Sequence, residues 1–300
     1  MLRVAVDRLH RTVAVGHLDD APNSSGGNVE RAVVVGWNAG GDELFRRTLT
    51  GAVTYPTGAA FDRAGNLVMV GFFTGTVTLV GDASDTGDIA LETAGSAVCA
   101  IKLTGTGGYL WSRCFGGMSL QALDPQMALA PDDSIVLAGT FWNHELDFGA
   151  FGPDAAPSST RLTSAGSEDI YLAKLDAEGG LVWQEGFGNS QVQTASLGLV
   201  TSPDGSILLA GRSSGSLDLG SLHLEAGDSA SPFVAAFDVD GNALSAITLG
   251  TSAYAEGADG LVVDDCLRFY LAADYSGDLA APNVVQRGAT IGLTLILGKY

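Results

Sequence analysis

Residues 135–139 read IVLAG, residues 207–211 read ILLAG and residues 67–71 read LVMVG. Each run follows a turn-forming segment: PDDS at 131–134, PDGS at 203–206 or DRAGN at 62–66. Pro presets φ, and Asp and Gly close such turns. The runs themselves show no polar/apolar alternation. An apolar stretch this short, bounded by turns, reads as a strand buried on both faces. TVAVG at 12–16 and FYLAA at 269–273 fit the same register, so the run recurs five times, ending at 16, 71, 139, 211 and 273. Its successive spacings of 55, 68, 72 and 62 residues are those of a repeated supersecondary unit.

The other pieces recur in order within each unit. A short first strand such as MALAP or GLVTS enters the turn, and the apolar strand follows. A loop of variable length comes next, holding ELDFG (145–149) or SLDLG (216–220) and then TSAG (163–166) or ETAG (92–95). A third strand runs into a Gly-rich hairpin in AIKLTGTGGYLW, LAKLDAEGGLVW and AAFDVDGNALS, and a fourth leaves through RCFGG, EGFGN or ITLG. No helical period of useful length is present. Four-stranded antiparallel units whose second strand is doubly buried pack face to face around an axis, which predicts an all-β fold, a β-propeller of about five blades. The blades fall at about 1–51, 52–118, 119–190, 191–251 and 252–300 of a single domain, the last lacking its fourth strand. The ring closes at five with one short blade, or the chain belongs to a longer array; an uncovered outer edge would invite aggregation. Phe45, Trp111 and Trp183, at one position of the fourth strand where the fourth unit has Ser245, read as packing between blades.

With 300 residues, 46% of them hydrophobic, the chain can fill a sizeable core. Its charge is lopsided, 15 basic against 34 acidic residues, for a net −19. Such a surface repels phosphate backbones and anionic lipid, so nucleic acid is excluded as an expected partner. No apolar run approaches the roughly 18 residues of a membrane span. The opening LRVAVDRLHRTVAVG alternates like a strand and has no apolar core of a signal peptide.

HELDFG followed by RLTSAGSEDIYLAKLDAEGGLVWQEGFG, within residues 144–188, is the fullest copy of the unit. It resembles the bacterial SBBP-type β-propeller repeat, with its G-x-[FL]-D-[FL]-G, T-S-A-G, D-x-[FY]-[LV]-A-K-[LF]-D-x-x-G, W and F-G elements. The likeness is strong in the second to fourth units and weaker in the first and fifth. It implies a bacterial extracellular or cell-envelope protein, often lipid-anchored, and supplies no catalytic residues.

Cys99 and Cys114 flank the TGTGG hairpin. Pairing Leu103 with Leu110 sets them directly opposite across the ladder, where Cβ atoms come within about 4.5–5.5 Å, so a disulfide is feasible; two buried thiols are the alternative. Cys266 has no partner in this scheme. His10, His17, His144 and His223 sit at inequivalent positions without metal-ligand spacing, so no metal or cofactor is expected of them. Asp82, Asp85 and Asp88 in GDASDTGD form a weak calcium candidate that lacks the twelve-residue loop pattern. No G-x-S-x-G elbow, phosphate loop or HExxH is present.

The loops after the apolar strands remain: HLDD (17–20), FFTG (72–75), TFWN (140–143), RSSG (212–215) and DYSG (274–277). In a propeller they emerge on one face. Phe72, Phe73, Phe141, Trp142 and Tyr275, with Arg212 and Asp274, could then line a binding rim, because aromatic platforms beside polar groups suit sugars and peptides. Gap-filling under long loops is the plainer role for each ring. The sequence thus points to a non-enzymatic surface or secreted module that binds protein or glycan through one loop face. The alternatives are a polysaccharide-acting hydrolase or lyase, whose mark would be paired carboxylates about 5–9.5 Å apart, and a purely structural array.

Overall fold

The computed structural model describes residues 2–19, 30–50, 53–80, 88–91, 96–117, 121–142, 145–151, 161–225, 231–249, 254–264, 268–276 and 293–299. These residues form antiparallel sheets, with no helix among them. The first repeat is β1 (Leu2–Val6), β2 (Thr12–Asp19), β3 (Glu30–Trp37) and β4 (Glu43–Thr50). The second is β5 (Val53–Phe61), β6 (Leu67–Thr74), a hairpin of β7 (Val77–Val80) and β8 (Ile89–Leu91), then β9 (Ser96–Leu103) and β10 (Tyr109–Gly117). The third is β11 (Gln121–Leu129), β12 (Ile135–Trp142), a hairpin of β13 (Glu145–Phe151) and β14 (Arg161–Thr163), then β15 (Asp169–Leu175) and β16 (Leu181–Phe187). The fourth is β17 (Gln193–Thr201), β18 (Ile207–Ser213), a hairpin of β19 (Leu217–Leu219) and β20 (Leu222–Leu224), then β21 (Ser231–Phe237) and β22 (Ala243–Thr248). The fifth holds β23 (Tyr254–Val263), β24 (Arg268–Ser276) and β25 (Leu293–Lys299). The chain divides into two compact units, Met1–Pro125 with His144–Arg161 and Gln126–Asn143 with Leu162–Tyr300.

β6, β12 and β18 are buried throughout their apolar runs, as the missing alternation requires, and so are β9, β15 and β21, whereas β2 alternates buried and half-buried residues. The fourth strands β4, β16 and β22 are half exposed, whereas β10 is mostly buried. The motif's final glycine has a local cause. A Cβ on Gly139 would lie 2.6 Å from the Tyr171 hydroxyl oxygen, and one on Gly211 would lie 2.2 Å from the Thr194 carbonyl and 2.9 Å from the Phe233 ring. Only a bare Cα lets these rings and carbonyls come so close.

Within each unit, successive repeats meet through alternate side chains. Val13, Val15, Ala32 and Val34 of the first repeat pack with Leu67, Met69, Cys99 and Ile101 of the second. Val136, Ala138, Ile170 and Leu172 of the third pack with Ile207, Leu209, Phe233 and Phe237 of the fourth. Leu208, Ala210, Val234 and Ala236 of the fourth pack with Leu261, Phe269 and Leu271 of the fifth. In all three contacts the trailing face of one repeat covers the leading face of the next. Each fully buried aliphatic side chain contributes about 1.5–3 kcal/mol.

The loops expected to carry ELDFG and SLDLG are strands instead. Both segments alternate, with Leu146 and Phe148 buried between exposed or half-buried acids, and Leu217 and Leu219 buried around exposed Asp218. The hairpins fold back on the preceding repeat: β7 pairs with β4, Leu49 opposite Leu79, and β13 pairs with β10, Gly116 opposite Asp147. The outer edges of β4 and β10 are thereby covered, which removes the aggregation hazard there.

The hairpin turns share one geometry. In 62–66, 104–108, 176–180 and 238–242 the first amide donates to the fifth carbonyl, and the fourth amide donates back to the first carbonyl. This is the three-residue loop with a left-handed fourth residue, Gly65, Gly107, Gly179 or Gly241. The first side chain caps the turn: Asp176 Oδ1 accepts from the Glu178 and Gly180 amides, and Asp238 Oδ1 from those of Asp240 and Asn242. Many of the acids therefore serve turns. The third-to-fourth-strand hairpins also carry a bulge, at Leu44, Leu110, Val182 and Leu244, all exposed. Leu103 consequently faces Tyr109 rather than Leu110, while Cys99 still faces Cys114.

Candidate functional site

The connections opposite these turns gather polar side chains at one end of the second unit. Gln193 starts β17 and is fully buried. Its Oε1 accepts from the Asn189 amide at 3.0 Å, and its Nε2 donates to Asn189 Oδ1 at 2.8 Å and to the Ser214 carbonyl at 3.2 Å. Asn189 Oδ1 also accepts from the Gln191 amide, and its Nδ2 donates to the Ser216 carbonyl. Buried Thr140, at the end of β12, accepts the Ala195 amide through Oγ1 at 3.2 Å. The Gln193 amide donates to the Glu168 carbonyl, which ties β17 to the entry of β15. These groups fix the loops on one another and are consumed in doing so.

Asp169, the first residue of β15, is different. Its Oδ2 accepts from the amides of Ala165 and Gly166. Its Oδ1 is buried and has no hydrogen-bond partner, although the residue is only 2% exposed. The carboxylate lies against Gly188, where a Cβ would come 1.8 Å from Oδ1. Leaving a buried polar group unsatisfied costs about 1–3 kcal/mol, and more when it is charged. By register the equivalent residues are Arg31, Ala97 and Ser231, so the acid is peculiar to the third repeat. An acid opening the aliphatic strand DIYLAKL, where another repeat has Ala97, was the signal the sequence offered.

The rim residues fare unequally. Phe73 and Phe141 are each 1% exposed; Phe73 belongs to the core, and Phe141 meets Tyr171 edge-on at 6.4 Å. Both are packing side chains rather than a docking surface. Phe72 in the first unit is half-buried and faces Tyr55, whose ring meets His17 edge-on at 5.1 Å. Trp142 and Arg212 in the second unit are half-buried. Asp274 and Tyr275 lie on β24 opposite Gly257 and Ala255, and their side chains fall outside the described residues.

Tyr171 is fully buried, and burial pushes its phenol well above the ordinary value. His223 sits on the β19–β20 hairpin, Nδ1 2.6 Å from Asp218 Oδ1 and Nε2 3.2 Å from Glu225 Oε1. Hydrogen bonding to Asp218 first, and to Glu225 second, raises its pKa. Among the described residues no group of His, Cys, Asp or Glu is arranged to hold a metal ion. Asp82, Asp85, His144 and Cys266 fall outside those residues, and Asp88 is exposed. Cys99 and Cys114 are joined by a disulfide. No helix among the described residues is long and apolar enough to cross a membrane.

No protein-family model matches the chain, and no curated protein sequence matches it. Among solved structures it is similar to an α-L-arabinofuranosidase from Fusarium graminearum in complex with an iminosugar inhibitor, at 11% identity and a TM-score of 0.46, over 97% of this chain and 72% of that one. It is also similar to a gluconolactonase from Xanthomonas campestris, at 14% identity and a TM-score of 0.24, over 96% and 90%. Both are enzymes, and the expectation of a non-enzymatic binding or scaffold module is corrected accordingly. Likenesses this distant carry no argument about substrate, which rests on the chain's own residues.

Proposed function

We propose that the chain is an enzyme acting on a carbohydrate polymer, a hydrolase or lyase, with Asp169 as its acid–base group. The observation that supports this is the buried, unpartnered Oδ1 of Asp169. Every other polar group of that cluster described above is spent on holding the loops. A carboxyl group anchored through one oxygen and uncommitted at the other can give or take a proton at a fixed point, a contribution typically of about 10²–10⁴-fold. Thr140, Asn189 and Gln193 are positioning residues that hold the surrounding backbone.

The same reading takes the repeats as blades of a propeller of about five, of the SBBP type, exported to the cell envelope or beyond. The Cys99–Cys114 bridge supports an oxidising compartment, since cytosolic thiols are kept reduced.

The test is release of reducing ends, or of unsaturated sugar, from a panel of polysaccharides by the wild type and by Asp169→Asn. The amide oxygen of the variant can still accept from Ala165 and Gly166, so the loop is retained while the ionisable group is lost. Turnover falling by about 10²-fold or more, with unchanged circular dichroism, is expected. Equal turnover by the variant, or no turnover by the wild type on any polymer of the panel, ends the proposal.

A further inference from the structure

The two compact units carry very different charge. Met1–Pro125 with His144–Arg161 holds 10 basic and 15 acidic residues, a net −5. Gln126–Asn143 with Leu162–Tyr300, the unit of Asp169, holds 5 basic and 19 acidic residues, a net −14. Its cations also lie mostly away from Asp169. Lys174 is 3.5 Å from Asp132 and Arg268 is 2.7 Å from Asp264, both at hairpin turns, and Lys299 faces Arg268 across the ladder. Asp169 opens β15 at the other end, whereas Lys174 is the last residue but one of that strand. Next to Asp169 in the chain is a second acid, half-buried Glu168. The Ser216 carbonyl, held by Asn189 of the same cluster, leads into β19–β20, where Asp218 and Glu225 flank the imidazole of His223. Toward this end of the unit, then, the described acids Glu168, Asp169, Asp218 and Glu225 outnumber its described cations, Arg212 and His223.

We infer that the glycan held at Asp169 is an amine-bearing one, a polymer of amino sugars with free ammonium groups, and that the reaction on it is hydrolysis. This rests on Asp169 as the acid–base group and names its substrate class. A polymer of uronates or sulfated sugars is repelled by a unit of this charge, whereas a cationic chain is drawn to it. A lyase faces a further obstacle. It removes the proton α to a uronate carboxylate, and negative charge then gathers where donors or cations must stabilise it; this end of the unit offers acids there. An ammonium group supplies the counter-charge that the adjacent acids Glu168 and Asp169 call for, and a neutral sugar does not. Hydrolysis breaks the bond between the anomeric carbon and the bridging oxygen. Asp169 gives its proton to the departing oxygen, and water adds hydroxide to the anomeric carbon and returns a proton to the carboxylate.

Isothermal titration calorimetry with short oligomers tests this on the full chain, since a long cationic polymer would coat any acidic protein. The probes are a glucosamine oligomer, its N-acetylated counterpart and a galacturonate oligomer. The glucosamine oligomer should bind most tightly, and its affinity alone should fall with added salt. Glu168→Gln should weaken it several-fold. Glu178→Gln, at an exposed acid of the 176–180 turn, should leave it unchanged. Reducing ends should appear from the glucosamine oligomer, without unsaturated sugar. Tighter binding or faster cleavage of either other oligomer overturns the inference, and so does absence of binding to all three. Equal weakening by Glu168→Gln and Glu178→Gln also overturns it, because the attraction would then be one of bulk charge. Asp169→Asn separates the two readings: turnover that survives it ends the acid–base role, while the order of the three affinities still decides the substrate class.

Discussion

Cys99 in the second repeat and Tyr171 in the third occupy the same place, opposite the glycine that ends the apolar run. Their cross-strand partners are Cys114 and Gly186. One repeat closes the slot with a covalent bridge, and the other lays a ring over Gly139. The turns nearby differ as well. Lys102 Nζ lies 2.9 Å from Asp62 Oδ2, with both side chains under a tenth exposed. Lys174, at the same register, lies 3.5 Å from Asp132, whose side chain is 64% exposed. The reason is a single residue: Asp62 opens its turn, while Ala130 opens the other, so the carboxylate arrives from two positions later and from the solvent side. The repeat preserves backbone geometry and leaves the chemistry that braces it free to change.

The largest expected effect breaks the comparison at those turns. Removing one partner of a buried ion pair costs about 3–5 kcal/mol, because the other charge is left in a dry site. Exposed pairs are worth about 0–1 kcal/mol. Asp62→Ala should therefore destabilise far more than Asp132→Ala in urea melts, and equal losses would refute the distinction. Burial pushes the Asp62 pKa up, but hydrogen bonds from Lys102 and Asn66 outweigh it and hold the group below the usual carboxylate range. A depressed folded pKa contributes stability above the unfolded value and loses it as pH falls through the folded one. The gap between wild type and Asp62→Ala should accordingly narrow in acid.

The bridge comes next. Cys99 and Cys114 are 15 residues apart, and closing a loop of that size is worth about 3 kcal/mol in the chain-entropy account. Cys99→Ala with Cys114→Ala should lower the urea midpoint by a corresponding amount. Reduction of the wild type with a small thiol should approach the same midpoint. A double variant as stable as the oxidised wild type would mean that the slot needs only small apolar filling, whereas the fourth repeat fills it with Phe233 opposite Thr248.

These details were unevenly legible in the sequence. The strands IVLAG, ILLAG and LVMVG announced themselves because burial on both faces leaves no room for polar residues. The β7–β8 and β13–β14 hairpins did not, since short strands such as VTLV and ELDFGAF look like loops until the outer edge they cover is known. The bulges at Leu110 and Val182 were hidden because a bulged aliphatic residue is indistinguishable from a core one by type. Asp169 is illegible in the sequence for a related reason. An acid before an aliphatic strand usually reads as a turn residue, and only the structure shows its second oxygen buried and unpaired. The aromatic rim is smaller than the sequence suggests, because Phe73 and Phe141 fill the interior beneath the loops.

The smallest effect tests whether the third kind of brace, on the fourth repeat's hairpin, is electrostatic at all. Leu217, Leu219 and Leu224 bury one face of β19–β20, and His223 stands on the other between Asp218 and Glu225. An imidazolium can donate to both carboxylates at once; a neutral ring can donate to only one. The raised pKa follows from that difference. A raised folded pKa contributes stability that is complete below the unfolded value and is lost as pH rises through the folded one. The proton resonances of His223 should thus titrate above the ordinary imidazole midpoint. Asp218→Asn should bring the midpoint back down more than Glu225→Gln does, because the Asp218 contact is the shorter. The hairpin's unfolding should barely respond to either substitution, since all three side chains are solvent-exposed and its anchoring rests on the three leucines. A large loss of stability on removing Asp218 would show instead that the ion pairs, not the leucines, hold this hairpin down.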